Sequence, residues 1–154
     1  MVKPDIVRAA LTVSLRYLSR KSRSEFEVHR RLRRGYDMAT TDTVIQMLVD
    51  RGLLDDRTFA ESWCRNRLFS RPRSAWLMNR ELRAKGISRQ IADEAVESVN
   101  DSNVAYNAGS AVLNRMDLSD HNKFVGKMYG YLARRGFGKS IIWQAIRDLW
   151  DNRR

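Results

Sequence analysis

The chain has 154 residues, enough to bury a core without disulfide or metal staples, and its 43% hydrophobic and 31% charged content, with two Pro and eight Gly, favours helices over a turn-rich β protein. A formal charge of +11 predicts attraction to nucleic acid, to an anionic membrane surface or to an acidic protein. One cysteine, Cys64, excludes an internal disulfide, Met1 to Asp5 carries no charged-then-apolar leader, and no run reaches the ~18 apolar residues of a membrane span, so a cytoplasmic, soluble protein is expected.

Asp5 to Leu18 carries Ile6, Ala9, Ala10, Val13 and Tyr17 at helical spacing and reads as a first helix. Ser24 with Glu27, and Ser22 with Glu25, have the spacing of a capping box, which starts a second helix running to about Arg34 with Val28 and Leu32 inward. Gly35 is expected to end it in a left-handed conformation. A nine-residue loop then leads to a third helix capped by Thr41 or Asp42, with Val44, Ile45, Leu48 and Val49 inward. The pattern recurs. Val28, Met78 and Met128 are spaced by 50 residues, as are Leu32, Leu82 and Leu132, and each leucine precedes a glycine, Gly35, Gly86 or Gly136. Tyr36, Ile87 and Phe137 follow those glycines, with helices from Ser88 to Val99 and from Lys139 to Trp150. The expected fold is all-α: three tandem three-helix repeats of about 50 residues, 1–54, 55–101 and 102–154, forming an elongated, curved array.

Chemistry-bearing groups are sparse. Asp55, Asp56 and Glu61 could hold Mg2+ for phosphodiester cleavage, but both aspartates stand where a helix start needs caps. His29 and His121 have no visible nucleophile or orienting partner and read as surface residues, and Cys64 reads as a small core or boundary residue. Gly136, Gly138, Lys139 and Ser140 spell GFGKS without the spacing or strand of a phosphate loop, so a helix stop followed by a helix start accounts for them. No catalytic residue, metal site or cofactor is indicated.

The basic residues carry the signal. From Arg65 to Arg89 there are eight Lys and Arg against one acid, Glu81. Trp76, Arg80 and Arg83 fall at i, i+4 and i+7 on one side of a helix, and one period earlier stand Phe26, Arg30 and Arg33. An aromatic ring beside guanidinium groups can hold a phosphate backbone or stack on a base. With Arg65, Arg67, Arg71, Arg73 and Lys85 these are the candidate partner and DNA contacts. In the third unit the equivalent positions are Gly126, Gly130 and Ala133, a smooth strip expected to receive the helix around Ala105 to Met116.

The run Arg20-Lys21-Ser22-Arg23-Ser24-Glu25 to Glu27, Val28 and Leu32, then Gly52-Leu53-Leu54-Asp55-Asp56, Phe59-Ala60, Trp63 and Arg67, then Glu81-Leu82 and Lys85-Gly86-Ile87, resembles the RecX family of recombination regulators over essentially the whole chain. Arg134-Arg135-Gly136-Phe137 with Ile141 and Ile146 is similar to the closing repeat of that family. Two features depart from the pattern: Ser74 after Pro72-Arg73, where a glycine is common, and a last helix rich in tryptophan, Trp143 and Trp150. The resemblance implies a non-enzymatic bacterial protein that binds RecA recombinase filaments on DNA and inhibits ATP hydrolysis, strand exchange and coprotease activity in recombination and the SOS response. Weak, sequence-independent contact with DNA, no membrane partner and a monomer are also expected. The rival reading is an autonomous helix-turn-helix-like DNA-binding protein, against which stands the predominance of Arg over Asn and Gln in the candidate reading helices.

Overall fold

A computed structural model describes residues 1–153, and all regular structure among them is helical. The helices are α1 (Pro4–Arg20), α2 (Glu25–Leu32), α3 (Met38–Asp50), α4 (Asp56–Ser70), α5 (Ala75–Ala84), α6 (Arg89–Val96), α7 (Asp101–Val112), α8 (His121–Arg134) and α9 (Lys139–Asp151), with a short 3-10 turn at Leu113–Arg115. They form two compact units, Met1–Ser62 with Leu82–Ala92, and Trp63–Glu81 with Asp93–Arg154. Each unit is assembled from two separate stretches of chain.

In the first unit α1, α2 and α3 close over Ala10, Val28, Leu32, Val44, Leu48 and Leu54. Val7, Ala10, Leu11, Val13, Ser14, Tyr17 and Leu18 of α1 face inward, so the expected Ala10, Val13 and Tyr17 hold, while Ile6, 41% exposed, and Ala9, also exposed, fall outside the stripe. Ser14 is tolerated in the interior because its hydroxyl donates to the Ala10 carbonyl at 2.9 Å. The anticipated long loop after α2 is absent. Asp37, not Thr41 or Asp42, caps α3 by accepting the Thr40 N–H at 2.8 Å, and Thr41 is fully buried inside the helix.

Gly35 does not take a positive φ, whereas Gly86 (φ 79) and Gly136 (φ 88) do. The difference is one residue of chain. Gly86 and Gly136 stand four residues after their leucine, so Ile87 and Phe137 can donate back to the Leu82 and Leu132 carbonyls and close a left-handed stop. Gly35 stands three after Leu32, and Tyr36 donates to Leu32 across a right-handed turn.

The second unit has its main core in α7, α8 and α9, around Phe124, Met128, Leu132, Ile142, Ile146 and Leu149. The expected smooth strip plays no part in it. Gly126 and Ala133 are exposed, a Cβ on Gly126 would meet nothing within 4 Å, and one on Gly130 would meet only Arg134. The close approach is made instead by Gly109 of α7, where a Cβ would lie 2.6 Å from Leu149 Cδ1 and 3.1 Å from Met128 Sδ. Sequence pattern does not reveal it, because Gly109 sits among Ala and Ser in a stretch with little contrast between its faces.

A helix start in each unit is fastened by residues far along the chain. Ser24 accepts the Glu27 N–H, Glu27 answers the Ser24 N–H, and the Ser24 hydroxyl also donates to the Lys85 carbonyl at 2.6 Å. The Glu25 N–H donates to Asp56 Oδ1 at 2.9 Å. In the second unit Ser74 caps α5 through Leu77, the Ser74 N–H donates to the Arg135 carbonyl at 3.0 Å, and the Ala75 N–H donates to Asp101 Oδ1 at 2.9 Å. Serine, aspartate and glycine turn thus form one joint, written twice.

Candidate acidic-ligand interface

On α2, Phe26 is 46% exposed, with the Arg30 guanidinium 5.7 Å from its ring centroid. Phe26 is packed so closely on Gly86 that a Cβ at the glycine would collide with its Cβ and Cγ, so the glycine turn fixes the aromatic from behind. Arg33 is exposed and donates to the Tyr36 carbonyl at 2.8 Å. On α5, Trp76 is 58% exposed, with the Arg80 guanidinium 4.9 Å from its ring, and Arg83 is exposed one turn on. The two helices therefore carry the same aromatic-and-guanidinium face. Arg65 and Arg71 are also exposed and have no acidic partner among the described residues.

The remaining basic candidates are already engaged. Arg73 Nη1 donates to Glu81 Oε2 at 2.6 Å, and Arg67 Nε lies 3.4 Å from the same oxygen while its guanidinium stacks 4.4 Å from the Trp63 ring. Lys85 Nζ lies 3.5 Å from Glu27 Oε2, beside the Ser24 joint. These three side chains are paired with acids of the protein itself rather than standing open. Sequence reasoning overlooked Phe69, 92% exposed at the end of α4 and four residues from Arg65; an aromatic and an arginine at i, i+4 was the available signal, in the reverse order of the other two pairs.

The acidic groups have local work. Asp55 is the cap of α4, accepting the Arg57 and Thr58 N–H groups, and the Thr58 bond holds its carboxyl below the usual range. Asp56 is turned toward α2, and burial pushes its carboxyl up despite the Glu25 N–H. One carboxylate caps and the other braces, so the expectation that both serve their own helix holds only for Asp55. No group of three His, Cys, Asp or Glu among the described residues could hold a metal ion. His29 Nε2 lies 3.4 Å from Asp42, and His121 packs edge-on to Trp150 at 4.6 Å, so both imidazoles have neighbours that the sequence did not reveal. No helix among the described residues is long and apolar enough to cross a membrane.

Fold and face together define a class, basic all-helical proteins with exposed aromatic and arginine pairs and acid groups spent on capping and bracing. Comparison with known proteins narrows it. Residues 10–48 match the model of the first three-helix domain of RecX, and residues 55–96 the second. The chain is 30% identical to regulatory protein RecX of Chlorobium phaeobacteroides over 93% of its own length and 95% of that protein, and 31% identical to regulatory protein RecX of Chlorobium limicola over 92% and 89%. The crystal structure of RecX from Lactobacillus salivarius, 24% identical, superposes with a TM-score of 0.81 over 96% of this chain and 98% of that one. The chain belongs to the RecX family of regulatory proteins.

Proposed function

We propose that this chain is a non-enzymatic regulator of homologous recombination and the SOS response, binding RecA filaments on DNA and inhibiting their ATP hydrolysis, strand exchange and coprotease activity. Membership of the RecX family carries the reading. The repeated face supports it: Phe26 with Arg30, and Trp76 with Arg80, each offer a ring and a guanidinium group to an acidic surface or a nucleic-acid strand. The division into repeats 1–54, 55–101 and 102–154 belongs to the same proposal, supported by the twice-written joint of Ser24 and Ser74. On this reading the protein works in the cytoplasm as a monomer, and its own contact with DNA is weak and independent of sequence.

DNA-dependent ATP hydrolysis by RecA, titrated with this protein, tests it. Inhibition that saturates with the filament is expected, and full hydrolysis at a several-fold excess of the protein would overturn the reading. Competition between unrelated duplexes separates it from a sequence reader, for which discrimination of ~1,000-fold or more is typical.

A further inference from the structure

The C-terminal half of α1 and the last turn of α2 line a cleft of about 200 Å3, walled by Val13 and Tyr17 and by three arginines, Arg16, Arg20 and Arg31. Arg23, which lines another cleft with Leu18 and Ser19, lies with its guanidinium 3.8 Å from the centroid of the Tyr17 ring, and its Nε is buried without a hydrogen-bond partner. None of these four arginines has an acidic partner among the described residues. Arg16 and Arg20 stand at i, i+4 on one helix, where like charges oppose each other, and Arg31 adds a third charge from the neighbouring helix. Apolar walls beside such a cluster focus its positive potential into the cleft.

We infer that this cleft is a phosphate-binding site, distinct from the faces of α2 and α5 described above, that takes one phosphate group of a nucleic-acid strand. Its volume lies below the ~300 Å3 at which pockets begin to enclose a whole small molecule, so it fits an anionic group rather than a nucleotide. A carboxylate presents two oxygens in one plane, which a single guanidinium fork satisfies, whereas a tetrahedral phosphate directs oxygens toward donors on both helices. Phosphate is therefore the better match for three arginines contributed by two elements. The group can come from the backbone of the strand or from its 5′ end.

The test compares three proteins for binding a fluorescein-labelled oligothymidylate across a salt series: the parent, Arg16→Gln/Arg20→Gln/Arg31→Gln, and Arg8→Gln/Arg34→Gln/Arg51→Gln, which loses the same charge from exposed positions outside the cleft. The cleft triple should bind about tenfold more weakly, with a salt slope lower by about 0.7 for one phosphate released from single-stranded DNA, and the scattered triple should lose under about threefold. Inorganic phosphate should raise the melting temperature of the parent and not that of the cleft triple, which also verifies that the variant folds. Tighter binding of a 5′-phosphorylated oligonucleotide than of its 5′-hydroxyl form, seen only with the cleft intact, assigns the site to strand ends; equal binding assigns it to the backbone. Equal losses in the two triples overturn the proposal. So does a cleft triple that keeps its oligonucleotide affinity, whether it has lost binding to polyglutamate or Arg80→Ala/Arg83→Ala is the variant that loses DNA; the latter result leaves the reading of the α5 face standing.

Discussion

Arginine is the residue whose sequence count and structural role diverge most in this protein. The excess of basic residues from Arg65 to Arg89 is plain from the sequence, but which of them are consumed internally is not: Arg73 and Arg67 meet Glu81 from eight and fourteen positions away, separations that no helical periodicity encodes. Glu81→Gln should lower stability by about 2 kcal/mol, because two partly buried guanidinium groups lose their counter-charge, and should leave oligonucleotide binding equal or tighter. A urea titration and a binding isotherm check both, and a more stable variant would show that the pair costs more to desolvate than it returns. Glycine gives the opposite case, in which similar letters hide different backbones. Gly86→Ala meets a positive φ and the Phe26 side chain and should cost about 2–4 kcal/mol. Gly35→Ala, with ordinary φ and open space around it, should change stability by less than about 1 kcal/mol. Similar urea midpoints for the two would show that the glycine turn yields to a side chain.

The helices themselves were largely legible, because capping residues and apolar spacing agree at Ser24, Asp55 and Ser88. What the sequence could not show was that a cap can serve two elements. Ser24 belongs to a recognisable capping box, yet its hydroxyl also reaches the Lys85 carbonyl, and Asp56 next to a proper N-cap leaves its own helix to brace Glu25. Asp56→Ala should cost about 1–2 kcal/mol by orphaning the Glu25 N–H. Asp56→Asn keeps an acceptor and removes the charge, and its behaviour with pH follows from the raised carboxyl. Burial lifts Asp56, and burial with the Asp56 charge lifts Glu25, so the ionised forms oppose folding. Below the ordinary carboxylate values, at about pH 3, both folded and unfolded chains are largely protonated and that opposition vanishes; it grows as pH rises past those values and is complete above the raised values of the folded protein. Relative to the parent, Asp56→Asn should therefore gain stability between about pH 3 and 7. Urea midpoints at the two ends of that window decide, and a relative loss on going up would reverse the assignment.

At the scale of the whole molecule, the compact units were not readable from the sequence, because each gathers two stretches of chain that no spacing links. Side chains 50 residues apart do take matching places, Ser24 with Ser74 and Gly86 with Gly136. A fragment of residues 1–54 contains α1, α2 and α3 and lacks Asp56, Lys85 and Gly86, the partners of the α2 start. It should be largely unfolded at 25 °C by circular dichroism, whereas a cooperative melt like that of the parent would show that the later residues are dispensable. On the binding side, Arg80→Ala with Arg83→Ala should weaken DNA binding and flatten its salt dependence by about one unit of slope for each phosphate that is no longer neutralised, with little change in folding because both side chains are exposed. Arg134→Ala with Arg135→Ala should do less to binding; the reverse ranking, with folding intact, would move the binding surface to α8.

Cys64, 5% exposed on α4, has a thiol that burial and the nearby Glu81 charge push up to about 11. It is hidden and uncharged at neutral pH, so an alkylating reagent meets it only in molecules that have momentarily opened around it. The protein thus carries its own stopwatch. With reagent dilute enough that reclosing outpaces reaction, the alkylation rate at Cys64 measures the fraction of time this region stands open, and a partner that holds the region shut would announce itself as a slower clock.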